Sequence, residues 1–363
     1  MKNIVLATLA LAGLAASVNA GVLITPGNLV TYRVGTGTGT LSNASTAVFV
    51  DEYTTSGTLV QSIALPTSGT NAFVASGTAT SEGGLTISPD GRYITITGYN
   101  AATGTTGIAA TTSANVARTV AIIDTTTGNT TYTRLDTASF SGNNIRSAVS
   151  DGTNIWAAGA NSGVRFTTAG NGTTVQLSTT STNNRQVNIF NGQLYVTSGS
   201  GSIRTASVGT GTPTTSGQTI ANLPGTASTG SPYQYFFADL SATVAGVDTL
   251  YIADDSAGLQ KFALVGGSWV ARGTVGTGTN AYRGLTATVN AGVVTLFATG
   301  NGTSLVTLTD SSGYNANLTG SVTTLAAAGT NTAIRGIGYI PVPTPGSLAL
   351  LGLGGLVAAR RRR

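Results

Sequence analysis

The sequence predicts an all-β protein, and three observations support that prediction. Only 8% of the 363 residues are charged, and long helical periodicity with charged faces is absent from the body of the chain. Glycine accounts for 50 residues and Thr and Ser are abundant; Thr, Val, Ile and Tyr favour strands, whereas Gly and Asn favour tight turns. Short alternating segments separated by turn residues recur along the chain. The body, residues 21–341, is long enough for one large β domain or two smaller ones.

The first 20 residues have the layout of a secretory signal peptide, 1–20. Lys2 provides a positive start, residues 4–16 are apolar, and small residues precede a cleavage point between Ala20 and Gly21. We therefore expect export and removal of this segment by signal peptidase. The sequence contains no cysteine, so disulfides cannot stabilise the exported protein and its stability must come from packing and sheet hydrogen bonds.

Hairpins and one longer strand–turn–strand unit open the body. The unit 84–98 is the clearest, because Ser88-Pro89-Asp90-Gly91 predicts a tight turn between two alternating flanks. Proline fixes φ at the second turn position, and glycine accepts the positive φ that follows. The other predicted strands of this region are 29–34, 47–53, 58–65, 118–124 and 130–135.

The strand–turn–strand unit recurs with an aromatic residue in its second strand. The copies are 145–159, 185–199, 282–300 and, more loosely, 235–254. Each is followed by two weaker strands. Four antiparallel strands that repeat about every 40 to 60 residues are typical of the blades of a β-propeller. We therefore predict a β-propeller of six four-stranded blades, with seven left open, and with a β-solenoid or a pair of β-sandwiches as the alternative.

The two ends of the body complement each other. Residues 333–340 match the first strand of a blade, but the chain then leaves before the rest of that blade is formed. The opening hairpin 47–65 has outer strands and lacks a first strand. Pairing the two ends would complete one blade and remove two free sheet edges.

Residues 342–363 form a distinct tail. An apolar segment followed by arginines favours placing the arginines on the cytoplasmic side of a membrane and the body outside. As a helix, residues 348–359 would rise about 18 Å, against a hydrocarbon core of roughly 30 Å, so we expect a short hydrophobic helix. The parts of the tail are the triplet Pro343, Thr344 and Pro345, the apolar run 348–359, and the cluster Arg360, Arg361, Arg362 and Arg363.

This tail resembles the PEP-CTERM sorting signal of Gram-negative bacteria, which has a Pro-Glu-Pro motif, a hydrophobic segment and a terminal arginine cluster. Thr344 stands where that family has Glu. The resemblance covers the tail alone. It implies cleavage by an exosortase, transient anchoring in the inner membrane, and a final place at the cell surface or in the extracellular matrix of bacteria that make exopolysaccharide and biofilm. A plain C-terminal anchor is the alternative on the residues themselves. The hairpin 51–66 resembles that of a family of exported bacterial proteins, and this implies no activity.

The formal charge of +5 is misleading for the body. Five of the 17 basic residues are Lys2 and the four terminal arginines, whereas all 12 acidic residues lie in the body. The exported domain is therefore formally neutral, which gives no electrostatic case for nucleic acid as a partner.

The sequence excludes several kinds of chemistry. It contains no histidine, which excludes Ser-His-Asp and Cys-His catalysis and histidine-based zinc sites, and without cysteine it has no thiolate nucleophile. We predict no catalytic residues, no cofactor and no metal. The alternative is a propeller hydrolase or lyase acting on extracellular polysaccharide with paired carboxylates.

Six residues are candidates for ligand binding. Arg283 and Arg335 each precede a glycine at the start of a predicted first strand, and Arg146 and Arg185 stand at comparable places. They would either ring a central channel and bind anionic sugars bidentately, or pair with neighbouring blades, the use we favour on sequence alone. Asp254 and Asp255 close a second strand, where they form either an exit turn or, less typically, a calcium site.

These observations favour a non-enzymatic exported protein with a structural, adhesive or glycan-binding role in biofilm.

Overall fold

A computed structural model describes residues 23–226 and 230–343, and the described chain is almost entirely strand and turn. The predicted signal peptide with Ala20 and Gly21 lies outside the described residues, as does the tail from Thr344 onward. Two short 3-10 helices occur, Ile108–Ala110 and Gly278–Asn280. Across the described ranges, no helix has the length and apolar character needed to cross a bilayer.

Twenty-five strands make up the described fold. The first eight are β1 (Leu29–Val34), β2 (Ser45–Tyr53), β3 (Leu59–Ala64), β4 (Val74–Ser76), β5 (Thr86–Ile87), β6 (Tyr93–Tyr99), β7 (Arg118–Asp124) and β8 (Thr130–Arg134). The next eight are β9 (Ile145–Ser150), β10 (Asn154–Gly159), β11 (Val164–Thr168), β12 (Val175–Gln176), β13 (Val187–Phe190), β14 (Gln193–Thr197), β15 (Thr205–Val208) and β16 (Ile220–Asn222). The last nine are β17 (Pro232–Ala238), β18 (Thr249–Asp254), β19 (Gly258–Val265), β20 (Ser268–Val275), β21 (Tyr282–Asn290), β22 (Val293–Gly300), β23 (Ser304–Asp310), β24 (Thr323–Ala327) and β25 (Ala333–Tyr339).

The strands form six four-stranded antiparallel units, which are the blades of a β-propeller. From the innermost strand outward, blade 1 is β25-β1-β2-β3 and blade 2 is β5-β6-β7-β8. Blades 3 to 6 are β9 to β12, β13 to β16, β17 to β20 and β21 to β24. Strand β4 pairs with both β2 and β6 and so joins blades 1 and 2 into one nine-stranded sheet. The repeats in the sequence therefore predict the propeller correctly, and the solenoid and sandwich alternatives are wrong.

The ends of the body close the ring as predicted. Strand β25 pairs antiparallel with β1, with Leu29 opposite Tyr339 and Val34 opposite Ala333. On its other side β1 pairs with β2, which pairs with β3. One blade thus combines residues from both ends of the described chain, and β1 is paired on both of its edges while β25 becomes the innermost strand of the blade.

The hydrophobic core lies between the blades. Each of six clusters of buried side chains joins two neighbouring blades, as where Trp156 of blade 3 packs with Val187 and Leu194 of blade 4. Trp156 is fully buried, and its indole Nε1 donates a hydrogen bond to the Pro213 carbonyl at 2.8 Å. Successive blades are therefore held face to face by apolar packing, without a single central core.

Local turn chemistry also matches the sequence. In the Ser88-Pro89-Asp90-Gly91 turn the Gly91 N–H donates to the Ser88 carbonyl at 2.8 Å, and Gly91 has φ +76°. An added Cβ on Gly91 would lie 2.3 Å from Cγ of Pro341. Glycine is thus required here both by the backbone angle and by the close approach of the exiting chain.

Removing residues 333–363 should prevent the protein from forming a stable monomer, because β1 would lose one of its two partner strands and blade 1 its innermost strand. The matched control removes only 344–363 and keeps β25. We expect the control to remain monomeric with the parent melting temperature and the longer deletion to aggregate, as measured by size-exclusion chromatography and thermal unfolding. A monomeric longer deletion with an unchanged melting temperature would show that the closing strand is dispensable.

Candidate functional site

The innermost strands place equivalent residues in one layer around the propeller axis. Four of the six equivalent positions carry arginine, one carries tyrosine, and one is glycine. In blade order these residues are Arg335, Gly83, Arg146, Arg185, Tyr233 and Arg283. All six line the same cavity. The structure thus brings the four arginines singled out in the sequence to a single place.

Side-chain hydroxyls fix this layer by bridging neighbouring blades. Each hydroxyl donates a hydrogen bond to the backbone carbonyl of the layer residue in the next blade. The same hydroxyl accepts a hydrogen bond from a backbone N–H of its own blade or of the next one. These donor and acceptor pairs are Ser147 to Arg185 at 2.9 Å, Thr197 to Tyr233 at 2.8 Å, and Thr299 to Arg335. The backbone at Arg185, Tyr233 and Arg335 is therefore positioned by direct hydrogen bonds from the preceding blade.

The cavity has a volume of about 190 Å³. Besides the layer residues its wall includes Glu82 and Gln234, and exposed Thr78, Thr80 and Asn301 lie at its mouth. Small-molecule sites commonly enclose roughly 300–1,000 Å³, so this cavity suits a small group better than a whole drug-sized ligand.

Arg335 is anchored along one edge of its guanidinium. Its Nη2 donates to the carbonyls of Ser76 at 2.5 Å and Gly77 at 3.1 Å. Its Nη1 lies 3.6 Å from Oε2 of Glu82, too far for a hydrogen bond, and has no hydrogen-bond partner in the described structure. The side chain is 6% exposed, so this is a buried donor directed at the cavity wall without an acceptor.

Arg146 and Arg185 are held by neutral groups. The Nη1 of Arg146 donates to Oδ1 of Asn183 at 2.7 Å and to the Asn184 carbonyl at 3.0 Å, while its Nε is buried without a partner. Nη1 of Arg185 donates to the Ser231 hydroxyl. Among the described residues, neither arginine has a carboxylate oxygen within 4 Å. Burial lowers the pKa of Arg146, and the like charge of Arg185 lowers it further.

Tyr233 lies between two of the arginines. The guanidinium carbon of Arg185 is 4.2 Å from the centre of the tyrosine ring, and that of Arg283 is 5.5 Å away. Arg283 also pairs with Asp255 at 2.8 Å through Nη2, and its Nε is buried without a partner. Cation–π contacts of this kind hold guanidinium groups in place without neutralising their charge.

Glu82 is the buried carboxylate in the cavity wall. Its Oε1 accepts hydrogen bonds from the Tyr99 hydroxyl and the Asn144 amide, both at 2.5 Å, and its Oε2 accepts the Ser76 N–H at 3.1 Å. Burial raises the pKa of Glu82, an effect that the charge of Arg335 and these hydrogen bonds oppose.

Gln234 forms the floor of the cavity. Its Nε2 donates to the carbonyls of Leu85 at 2.6 Å and Ile337 at 3.2 Å. Its Oε1 accepts the N–H groups of Leu285 at 3.1 Å and Ile337 at 3.2 Å. One amide thereby ties blade 5 to blades 1, 2 and 6 across the axis. Gln234 also lines a second cavity of about 570 Å³ at the end where the innermost strands finish.

The two candidate aspartates have different environments. Asp254 forms the strand-exit turn: its carboxylate accepts the N–H of Ser231 at 2.9 Å and both the N–H and hydroxyl of Ser256. It does not line the arginine cavity. Asp255 reaches the cavity indirectly, through its pair with Arg283. Within 23–226 and 230–343 there is no group of three or more acidic side chains placed to hold a metal ion.

Two further acidic side chains of the body, Asp51 and Glu52, are engaged in structural bonds. Asp51 pairs with Arg33 through both carboxylate oxygens, at 2.5 and 3.1 Å. Glu52 accepts from Asn28 and Gln61, each at 2.5 Å. These carboxylates stabilise blade 1, and their oxygens are occupied by these hydrogen bonds.

The sequence did not single out Glu82, Tyr233 or Gln234. The Tyr233 and Gln234 positions were missed because the loose fifth copy was aligned from Tyr235, two residues late. Three aromatics in a row, 235–237, obscure the alternation that would fix the register. An arginine stands two residues before Leu285 and two residues before Ile337. Aligning Tyr235 with these two residues puts Tyr233 in the position of the arginine, and this was the signal available in the sequence.

Comparisons with known proteins find only distant similarity to solved structures. No family model matches the chain, and no curated protein matches it. Among solved structures it is similar to a 6-phosphogluconolactonase-like protein of Bacteroides fragilis, at 12% identity and a TM-score of 0.45 over 83% of this chain and 82% of that one. The computationally designed protein Ika8 is similar at 9% identity and a TM-score of 0.41, over 88% of this chain and 96% of that one.

A third similar structure is the GH74 enzyme of Niastella koreensis, at 14% identity and a TM-score of 0.46, over 84% of this chain and 46% of that one. Similarities this distant carry no argument about the site. The assignment as a β-propeller rests on the strand pairing.

Replacing Gln234 with alanine should lower the free energy of unfolding by about 2–4 kcal/mol, because two buried N–H groups and two carbonyls lose their partner. Gln218→Ala is the control, since the side-chain amide of Gln218 donates to Thr215 within its own loop and the backbone bond of Gln218 is kept in the variant. Urea unfolding followed by circular dichroism measures both. Equal, small effects of the two changes would contradict the role of Gln234 as the tie across the axis.

Proposed function

We propose that this protein binds acidic groups of extracellular polysaccharide in the arginine cavity, without chemical turnover. The observation that carries the proposal is the convergence on one cavity of four arginines, three of which have a buried guanidinium nitrogen without a hydrogen-bond partner in the described structure. A carboxylate or sulfate entering the cavity would balance their charge and offer hydrogen-bond acceptors.

The charge balance of the cavity favours an anion. Two carboxylates, Glu82 and Asp255, face four guanidinium groups. The site therefore keeps a net positive charge even with both acids ionised. Buried like charges repel each other strongly in a medium of low dielectric, and a bound anion removes that penalty. Guanidinium groups suit carboxylates and sulfates because they offer paired N–H donors in one plane.

The shape of the cavity favours a single acidic group on a larger molecule. Its volume of about 190 Å³ is small, and its mouth carries the hydroxyls of Thr78 and Thr80 and the amide of Asn301. These neutral polar groups suit sugar hydroxyls next to the acidic group. An extracellular setting agrees with the predicted signal peptide and with the tail that resembles an exosortase signal, so we propose that the partner is a polysaccharide of the cell surface or matrix.

Replacing Arg146 or Arg185 with glutamine should weaken binding of an oligouronate at least about tenfold, since a hydrogen bond to a charged group contributes roughly 1.5–3 kcal/mol. Isothermal titration calorimetry of the full chain measures this. Affinity of the parent protein should also fall as salt is added.

Two controls make this test specific. Arg92→Gln removes the same charge from an exposed arginine that pairs with Asp124 outside the cavity, and it should leave the affinity unchanged. The same oligosaccharide with its carboxyl groups reduced to alcohols should not bind. Equal binding of the charged and reduced oligosaccharides would sink the proposal.

An enzyme acting on the same polysaccharide is the alternative, and the raised pKa of Glu82 is the observation in its favour. Against it, both oxygens of Glu82 already accept hydrogen bonds from Tyr99, Asn144 and Ser76. Incubating the parent protein with acidic polysaccharide and measuring new reducing ends and unsaturated products separates the two. Release of either product, lost in Glu82→Gln, would establish the enzyme.

A further inference from the structure

Glu82 and an incoming anion face the same guanidinium. Oε2 of Glu82 is 3.6 Å from Nη1 of Arg335, and this nitrogen has no hydrogen-bond partner in the described structure. Both side chains line the arginine cavity and are nearly fully buried. The carboxylate is therefore close enough to interact strongly with the guanidinium charge without forming a hydrogen bond to it.

The hydrogen bonds of Glu82 hold it in place in either protonation state. Tyr99 and Asn144 donate to Oε1, and the Ser76 N–H donates to Oε2, so the carboxylate cannot swing away when a ligand arrives. The charged and titratable groups that face Glu82 come from five elements. They are Tyr32 of β1, Tyr99 of β6, Arg118 of β7, Arg146 of β9 and Arg335 of β25.

We propose that the arginine cavity binds its anion when Glu82 is protonated, so that binding is accompanied by the uptake of a proton at Glu82. This inference rests on the proposed function. When Glu82 is ionised it offsets the charge of Arg335 and repels the ligand. When Glu82 is protonated, Arg335 is free to bind the anion and the repulsion is gone.

The sign of the pH dependence follows from burial. Burial raises the pKa of Glu82 above its ordinary value in the free protein, and a bound anion beside it raises that pKa further. Since the liganded protein holds the proton more tightly, affinity rises as the pH falls through the pKa of Glu82. Neighbouring arginines keep their charge over this range, since the guanidinium group is effectively always protonated.

Inorganic sulfate is a suitable probe of this pH dependence, because its own charge stays constant over the pH range of the experiment. Titration calorimetry of the full chain, from about pH 8 to about pH 4, should show sulfate affinity rising about tenfold or more, since one charge at this distance shifts an equilibrium by roughly one to three powers of ten. In Glu82→Gln the affinity should be nearly constant and, at the upper end, higher than in the parent. Asp90→Asn, which changes an exposed turn carboxylate, should keep the parent profile.

A second measurement needs no variant. Repeating the parent titration at the pH where the affinity changes most steeply, in two buffers of different ionisation enthalpy, reports the protons taken up on binding, and we expect a net uptake. Failure of sulfate and of acidic oligosaccharides to bind at any pH would overturn the proposed function itself. Sulfate binding without proton uptake, or with the same pH profile in parent and Glu82→Gln, would overturn the role of Glu82 and leave the anion site standing.

Discussion

The fold depends on the antiparallel pairing of β1 with β25. These strands are separated by nearly the whole described chain, so the pairing must overcome a large loop-closure entropy before it contributes any hydrogen bond. It is nevertheless the step that turns a row of blades into a ring. Strand β25 also fits closely against blade 2: a Cβ added to Gly336 would lie 2.3 Å from the Gly83 carbonyl oxygen and 2.4 Å from the Leu85 nitrogen. Only glycine at that position lets the innermost strands of blades 1 and 2 meet.

Closure of the ring determines what the arginines can do. Arg118 provides the comparison, because it is also buried and also bonded to backbone carbonyls without a carboxylate. Its hydrogen bonds to Asn143, Val116 and Ala109 satisfy it, and none of its buried nitrogens lacks a partner in the described structure. Three of the cavity arginines carry the same charge with one buried nitrogen left without a partner in the described structure: Nε of Arg146, Nε of Arg283 and Nη1 of Arg335. Arg165 and Arg204 also have a buried Nε without a partner, but they lie outside the cavity. What distinguishes the cavity arginines is therefore their convergence on one space.

The sequence predicts the periodic features of the fold and misses the singular ones. The hairpins, the Ser88–Gly91 turn and the blade repeat follow from alternation and turn residues, which act over a few positions. Ring closure was predictable because residues 333–340 match a first strand that had no partners nearby. Glu82 could not be recognised in the same way: it lies in a Ser-Glu-Gly-Gly loop segment that is typical of exposed loops, and it is buried by Tyr99 and Asn144, the latter 62 residues away. Tertiary contacts of that kind leave no local pattern.

Arg283 shows that the two uses of the arginines weighed from sequence do not exclude each other. Arg283 pairs with the neighbouring blade region through Asp255, as the structural interpretation expects, and still lines the cavity. The sequence cannot separate these uses, because both need only a recurrent arginine at the start of an innermost strand. The distinction appears only once individual nitrogen atoms and their acceptors are resolved.

The side-chain amide of Gln234 limits how a polymer can reach the arginine cavity. It bonds to backbone groups near the axis from blades 1, 2 and 6 and lines the cavities on both sides, so the channel is closed at its middle. The two ends also differ in charge, since the larger cavity has no charged side chain among its described lining residues. A sugar chain therefore cannot thread through the propeller from one end to the other. What can enter the arginine cavity is a pendant carboxylate, a sulfate or a chain end, with the rest of the polymer outside against the threonines at the mouth. A protein built in this way would attach to many points along a polysaccharide without enclosing it.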